Sequence, residues 1–305
     1  MDIIRLEGVS KQFGNHEVIK ELNISIPSQC VFGFLGQNGA GKTTTMKMIL
    51  GLLKPSSGRI FVCGEEVIYG EIKTNCLIGY LPDVPEYYSY MTPREYLKLC
   101  GEITGMSRTR IKEKSEELLT LVGLADVNRK IGGFSRGMKQ RLGIAQALLN
   151  EPKILICDEP TSALDPIGRK EILDILHRVK EKTTVIFSTH ILSDVERICD
   201  QVAVLHQGEI VLSGALTEVK KRYRQDAIRL TFKDENITKI LILCFEGLET
   251  VNKVELDGCE LIICVDNLEQ ASQEIFKVLS EQKVMLMKYE ILEPTLESLF
   301  MEVVK

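Results

Sequence analysis

The stretch Gly36-Gln37-Asn38-Gly39-Ala40-Gly41-Lys42-Thr43 constrains this chain more than any other. It fits G-x-x-x-x-G-K-[ST] without a mismatch. Val31-Phe32-Gly33-Phe34-Leu35 precedes it, a nearly continuous apolar run of the kind buried on both faces of a sheet. A helical pattern over residues 42–53 follows it. Strand, glycine turn and helix come in the order this pattern requires. Glycines let the backbone curl until its N–H groups converge on phosphate oxygens, and the helix N-terminus adds partial positive charge. Lys42 is then placed to reach the β- and γ-phosphates of a nucleotide, and the Thr43 hydroxyl to ligate Mg²⁺. The phosphate-binding set is Gly36, Asn38, Gly39, Ala40, Gly41, Lys42, Thr43 and Thr44.

A second stretch completes the site. Ile154-Leu155-Ile156-Cys157 reads as a buried strand, with Asp158-Glu159 at its C-terminal end. In open α/β sheets that end is where ligands bind. Asp158 is placed to hold hydrated Mg²⁺, and Glu159 to polarise an attacking water as general base. A helix-capping acidic pair is the plainer alternative, and the upstream phosphate loop disfavours it.

Around these stretches the pattern alternates. Residues 3–9 read as an edge strand, Phe13-Gly14-Asn15 as a turn, and Val18, Ile19, Leu22, Ile24 and Ile26 as a further strand pair. Residues 59–63 resume as strand. Helical periodicity runs from Thr92 to about residue 123, opening on Thr92-Pro93-Arg94-Glu95, a capping box with proline at the first helical position. Further helices are predicted over 110–122 and 135–149. Strands at 153–157, 184–188 and 201–205 then alternate with helices at 168–180 and 191–198. That order implies a mostly parallel sheet covered on both faces. The charged run Lys220-Lys221-Arg222-Tyr223-Arg224 marks a boundary. Beyond it the pattern reads strand 227–232, helix 236–245, strands 250–256 and 260–265, helix 268–281 and strand 284–291. This is the split β-α-β-β-α-β order, with a short terminal helix at 296–303.

Length and composition agree. A chain of 305 residues predicts two domains, or one with an appendage. A hydrophobic fraction of 44% with 27% charged residues excludes a disordered chain, a collagen or a coiled-coil rod. Lys+Arg of 38 against Asp+Glu of 43 leaves a net charge of −5, so no nucleic-acid partner is expected. Nine cysteines without a C-x-x-C pair fit neither a zinc ribbon nor a thioredoxin motif. Their apolar surroundings predict small buried hydrophobes in a reducing cytosol. The N-terminus lacks a signal-peptide pattern, and no apolar run approaches the roughly 20 residues of a spanning helix. The chain is therefore expected in the cytoplasm, reaching a membrane only through a partner.

Four further features narrow the class. Phe134-Ser135-Arg136-Gly137-Met138-Lys139-Gln140 precedes a helix, Ser162-Ala163-Leu164-Asp165 follows Asp158-Glu159-Pro160-Thr161, His190 ends a strand in Ser188-Thr189-His190, and Phe13 lies upstream of the phosphate loop. In this order the motifs resemble the ABC ATPase family, the nucleotide-binding subunits of ATP-binding-cassette transporters, over about residues 2–220. The resemblance implies an α/β fold: a phosphate-loop cassette at 1–224 with a mostly parallel sheet, antiparallel edge strands and a helical subdomain at about 84–150. The small α+β domain occupies 225–305.

It also implies ATP and Mg²⁺ as the bound species, with Thr43, Asp83 and Asp158 toward the metal. Ser135 and Gly137 match the signature loop, which binds the γ-phosphate of ATP held by the opposite subunit. Ser135 also fits a plain helix cap. Asp165 matches the loop linking the two nucleotide sites, and His190 the switch histidine that contacts the γ-phosphate and orients the catalytic water. Phe13 aligns with the aromatic residue that stacks on adenine, and by itself also fits a core phenylalanine. Asp83 falls where the family typically has glutamine; between Pro82 and Pro85 it also fits a plain turn. Arg136 stands where the family usually has glycine, and Met138 where it often has glutamine.

The tail from Glu293 to Phe300 is similar to that of ATPase subunits serving drug, antibiotic, polysaccharide or peptide exporters with separate membrane subunits. The implied activity is ATP hydrolysis by a pair of such subunits, identical or closely paralogous, sandwiching two ATP. The pair would drive a separate polytopic membrane subunit from the inner face of the cell membrane, in an exporter. Other classes fit less well. A soluble ABC ATPase acting on ribosomes usually carries two cassettes in tandem, and a chromosome or DNA-repair ATPase splits its cassette with a long coiled coil. A G protein would carry N-K-x-D, which is absent.

Overall fold

The structure, a computed structural model, describes residues 2–222 and 226–292. The chain divides after Leu216 into two compact units. The first opens with two long strands, β1 (Asp2–Phe13) and β2 (His16–Pro27). The strand β3 (Val31–Leu35) is buried along its whole length. Then come α1 (Lys42–Ile49), β4 (Ser57–Val62), β5 (Glu65–Glu66) and β6 (Ile78–Leu81). Three helices follow: α2 (Pro93–Ile103), α3 (Arg108–Leu121) and α4 (Arg136–Leu148). Alternation resumes with β7 (Ile154–Cys157), α5 (Pro166–Val179), β8 (Thr184–Thr189), α6 (Leu192–Ile198), β9 (Gln201–His206) and β10 (Glu209–Ala215). The helix α7 (Leu216–Arg222) starts at the division and, Leu216 apart, belongs to the second unit.

Two sheets carry this unit. One is six-stranded in the order β10-β9-β3-β8-β7-β6, with every neighbour parallel except the β9–β10 hairpin. The other is an antiparallel sheet in the order β2-β1-β4-β5. Ile4, Leu6 and Val9 of β1, Met46 and Ile49 of α1, Phe32 and Phe34 of β3, and Ile154 and Ile156 of β7 share one buried core. Strands buried on both faces are apolar runs, and that is why β3, β7 and β8 lack alternation.

Several expectations are corrected here. β1 is not an edge strand: β2 and β4 flank it. Residues 16–27 form one strand rather than a pair. A bulge breaks the alternation, with Gly8 (φ 56°) and Glu21 (φ 45°) in left-handed conformations. Gly8 N donates to Asn23 Oδ1 (2.8 Å) and Glu21 N to Ser10 Oγ (2.9 Å), so the distorted backbone stays hydrogen-bonded. Helix α1 stops at Ile49 because Gly51 turns left-handed at φ 63°. The strands β6 and β10 have no counterpart in the sequence reading. Thr92 caps α2 in the expected box, its side chain accepting from Glu95 N and Glu95 accepting from Thr92 N (2.8 Å). Of the nine cysteines only Cys30 and Cys157 are buried; Cys76 is exposed and the rest are half-buried. All are free.

The second unit contains β11 (Asp226–Thr231), α8 (Glu235–Glu246), β12 (Val251–Asp257), β13 (Glu260–Val265), α9 (Leu268–Glu281) and β14 (Lys288–Leu292). Its antiparallel sheet has the order β12-β13-β11-β14. Ile228 and Leu230 of β11, Phe245 of α8, Ile263 of β13 and Ile275 of α9 fill its core. The β-α-β-β-α-β order is the one the pattern predicts, with the last strand starting later, at Lys288. The expected helix at 296–303, the tail from Glu293 to Phe300, Tyr223 and Arg224 lie outside the described residues. Among the described residues no helix is long and apolar enough to cross a membrane.

Candidate active site

Parallel register builds the site. Leu35 of β3 pairs with Thr189 of β8, Cys157 of β7 with Phe187 of β8, and Leu81 of β6 with Cys157. The C-terminal ends of β3, β6, β7 and β8 therefore lie side by side, and the residues just beyond them converge. These are the phosphate loop, Asp83, Asp158-Glu159 and His190.

Lys42, only 6% exposed, donates from Nζ to the carbonyl oxygens of Gly36 (2.6 Å) and Gln37 (3.2 Å). Its third contact is an ion pair with Glu159 Oε1 at 3.1 Å, without hydrogen-bond alignment. Gly41 must be glycine: its φ is 109°, and a Cβ would meet Ile19 Cδ1 at 2.3 Å. Gly36 is as tightly held, since a Cβ would meet Leu205 O at 2.5 Å. Thr43 Oγ1 donates to Asp158 Oδ2 at 2.7 Å, which joins two of the predicted metal-side residues. Ser188 Oγ donates to Asp158 Oδ1 at 2.6 Å and accepts from Glu159 N at 2.9 Å. Glu159 itself has φ 48°, a strained conformation for a non-glycine residue. Its Oε2 contacts His190 Nδ1 at 3.0 Å.

A cleft of about 450 Å³ opens over these groups, lined among others by Asn38, Lys42, Thr44, Asp83, Glu159 and His190. A larger cleft of about 570 Å³ beside α3 and α5 has no glycine loop, and its Lys114 and Glu151 already pair at 3.2 Å. The chemistry favours the smaller one. Its donors fit a nucleoside triphosphate: the Glu159 carboxylate and two carbonyls hold the ammonium that phosphate oxygens would otherwise take. Glu159 Oε1 is buried and makes no aligned hydrogen bond, with the Lys42 ammonium 3.1 Å away. Thr43 and Asp158 present adjacent hard oxygens, which suit Mg²⁺.

The remaining predicted residues fall elsewhere. Ser135 caps α4, accepting from Met138 N at 3.3 Å, and Gly137 lies in the first turn of that helix. Asp165 caps α5, accepting from Gly168 N at 3.2 Å. None of the three lines the cleft. Phe13 is 48% exposed at the end of β1, with Lys11 Nζ 4.8 Å over its ring; it is no core residue and does not line the cleft either. Asp83 lines the cleft, but its Oδ1 accepts from Arg136 Nη2 at 3.1 Å. Burial raises the Asp83 carboxyl above its ordinary value, Arg136 opposes this, and Asp158 and Glu159 add to it. The sequence reading gave no role to Ser188, Ser162 or Val18. Ser188 sits fully buried two residues before His190 at a strand end, and that position was the available signal.

The family model described as ABC transporter matches residues 19–162. A second model, ATP-binding protein DrrA1-3-like, C-terminal domain, matches residues 214–304. The bacitracin transport ATP-binding protein BcrA of Bacillus licheniformis is 36% identical over 99% of this chain and 97% of its own length. The chain belongs to the ABC transporter ATP-binding proteins. The uncharacterized ABC transporter ATP-binding protein YxlF of Bacillus subtilis is 44% identical over 76% of this chain and 78% of its own. A solved ATP-binding subunit of an ABC transporter superposes with a TM-score of 0.65 at 30% identity, covering 72% of this chain and 93% of that one. An ATP-binding cassette in its ADP conformation gives 0.64 at 27% identity, covering 72% and 92%. This ABC chain is accordingly an ATP-binding, ATP-hydrolysing transporter subunit.

Proposed function

We propose that two copies of this chain, or one copy and a close paralogue, close around two ATP molecules and drive a separate polytopic membrane subunit. The pair sits on the cytoplasmic face of the membrane through that subunit and powers export. The single observation carrying the reading is the convergence of Lys42, Asp158, Glu159 and His190 on one cleft behind the glycine loop. Lys42 and the loop amides bind the phosphates. Thr43, Asp158 and Asp83 stand toward Mg²⁺, which when bound neutralises charge on the transferring phosphoryl group. Glu159 takes the proton of the attacking water, and His190 contacts the γ-phosphate and orients that water once its 3.0 Å contact with Glu159 opens. Both must first leave the Lys42–Glu159–His190 chain of contacts seen here. Ser135 and Asp165, which cap helices outside the cleft, and Gly137 in the first turn of α4 are left free to serve the opposite subunit's nucleotide. Phe13, exposed before the loop, is left free to stack on adenine.

Export is favoured by the relatives' names: bacitracin transport for BcrA, and linearmycin resistance for LnrL of Bacillus subtilis, 32% identical over 98% of this chain. The unit beyond Leu216 carries none of the cassette motifs, which suits a role in assembly or regulation. The test is Glu159→Gln. Its amide cannot accept the water's proton, and it removes a negative charge facing the phosphates. With Mg-ATP it should accumulate as a dimer on size-exclusion chromatography. A protein that binds ATP and stays monomeric contradicts the sandwich.

A further inference from the structure

Asp83 and Arg136 both depart from the family pattern, and the structure puts them in contact. Arg136 Nη2 donates to Asp83 Oδ1 at 3.1 Å across a separation of 53 residues. Further contacts tie the same two segments. Gln140 Nε2, on the next turn of α4, donates to the Asp83 carbonyl oxygen at 2.6 Å, and the Tyr87 hydroxyl donates to the Lys139 carbonyl oxygen at 2.7 Å. The segment carrying Asp83 and the first turns of α4 are thus fastened at both backbone and side-chain level. Yet one side of this joint belongs to the chain's own nucleotide cleft, which Asp83 lines. The other side opens α4, where Arg136 follows the capping Ser135 and adds a guanidinium to the helix N-terminus.

The geometry points to Arg136 as a γ-phosphate ligand of the ATP sandwich, held in reserve by Asp83 while the subunit stands alone. This rests on the sandwich proposed above. The Arg136 and Asp83 side chains are 42% and 45% exposed, so the pair is open to exchange. An ion pair so exposed shifts an equilibrium by no more than about fivefold. A charge-assisted contact between a guanidinium and a phosphate is worth about tenfold or more. Arg136 therefore gains by leaving Asp83 when a triphosphate arrives from the second copy. Asp83, left beside Asp158 and Glu159, then adds to the negative charge on the cation side of its own cleft. Each event favours the other, because occupancy of one site changes the partner available at the second, and the coupling is reciprocal. Loss of the γ-phosphate removes the ligand, and the Asp83–Arg136 pair re-forms.

The test reads the Mg-ATP concentration for half-maximal dimerisation, by light scattering, in the Glu159→Gln chain. Arg136→Ala should raise it about tenfold or more, and Arg136→Lys should recover part of the loss. Asp83→Asn should lower it by up to about fivefold, and that gain should vanish when Arg136→Ala is added. Additive effects in this double-mutant cycle would overturn the proposal, because Asp83 would then act without Arg136. So would an Arg136→Ala chain that dimerises at the unaltered ATP concentration, or one whose monomer no longer binds ATP, which would make Arg136 a support of the cleft alone. If the Glu159→Gln chain binds ATP and never dimerises, the sandwich itself fails and the phosphate role of Arg136 falls with it; a dimer indifferent to Arg136 refutes only the latter.

Discussion

Ser188→Ala perturbs the site at a residue that touches neither end of the reaction. Ser188 is fully buried, its hydroxyl donating to Asp158 at 2.6 Å and accepting from Glu159 N at 2.9 Å. The alanine removes a hydrogen bond to a carboxylate, about 1.5–3 kcal/mol, and strands the Glu159 amide, about 1–3 kcal/mol. Asp158 keeps its bond from Thr43 and shifts to relieve part of the loss, so about 3 kcal/mol is expected. For a unit of this size that lowers Tm by about 6–12 °C. Activity should suffer separately. Glu159 is held at φ 48°, a conformation costing about 1–2 kcal/mol, partly through the lost amide bond. Its carboxylate should wander, and kcat fall by about tenfold, since a small misplacement of a catalytic group is expensive. ATP affinity, set by Lys42 and the loop, should change little. Calorimetry and steady-state turnover read both quantities. A Tm within about 2 °C and kcat within about twofold of the parent would refute the idea that Ser188 positions both carboxylates.

Gly79→Ala tests the packing of β6, because a Cβ there would meet the Ala147 carbonyl oxygen at 2.2 Å. The backbone of β6 or α4 must shift, costing about 1–3 kcal/mol or more, and urea unfolding should show it; an unshifted midpoint would refute the contact. Alkylation at pH 8 followed by peptide mass spectrometry should label exposed Cys76 first. It should label Cys157 last, fully buried in β7, its thiol held far above its ordinary value chiefly by burial and then by Asp158; equal rates would contradict that burial.

Much of the site is legible in the sequence because its parts are local. The glycine loop carries its own backbone geometry at Gly41, and the apolar run before Asp158 announces a buried strand ending at a carboxylate. The split order of the second unit reads equally well, since each element has its own periodicity. What fails to read is set by contacts distant in the chain. β6 is four residues long with Gly79 in its middle, so it shows neither length nor alternation. Left-handed Glu21 breaks the alternation of β2, a single strand, and mimics a turn. The half-burial of most cysteines depends on which face of each element meets the core, which apolar neighbours in sequence do not reveal. Asp83 and Arg136 look like two separate departures until the fold brings them to 3.1 Å.

The central claim is that ATP binds in the cleft held by Lys42. Lys42→Ala removes the cation buried at the phosphate loop, and two charge-assisted contacts to phosphate at about 1.5–3 kcal/mol each would be lost. Titration calorimetry with ATP on the intact chain should show affinity weakened by at least about 100-fold. A folded Lys42→Ala chain that binds ATP within about twofold of the parent would contradict the account.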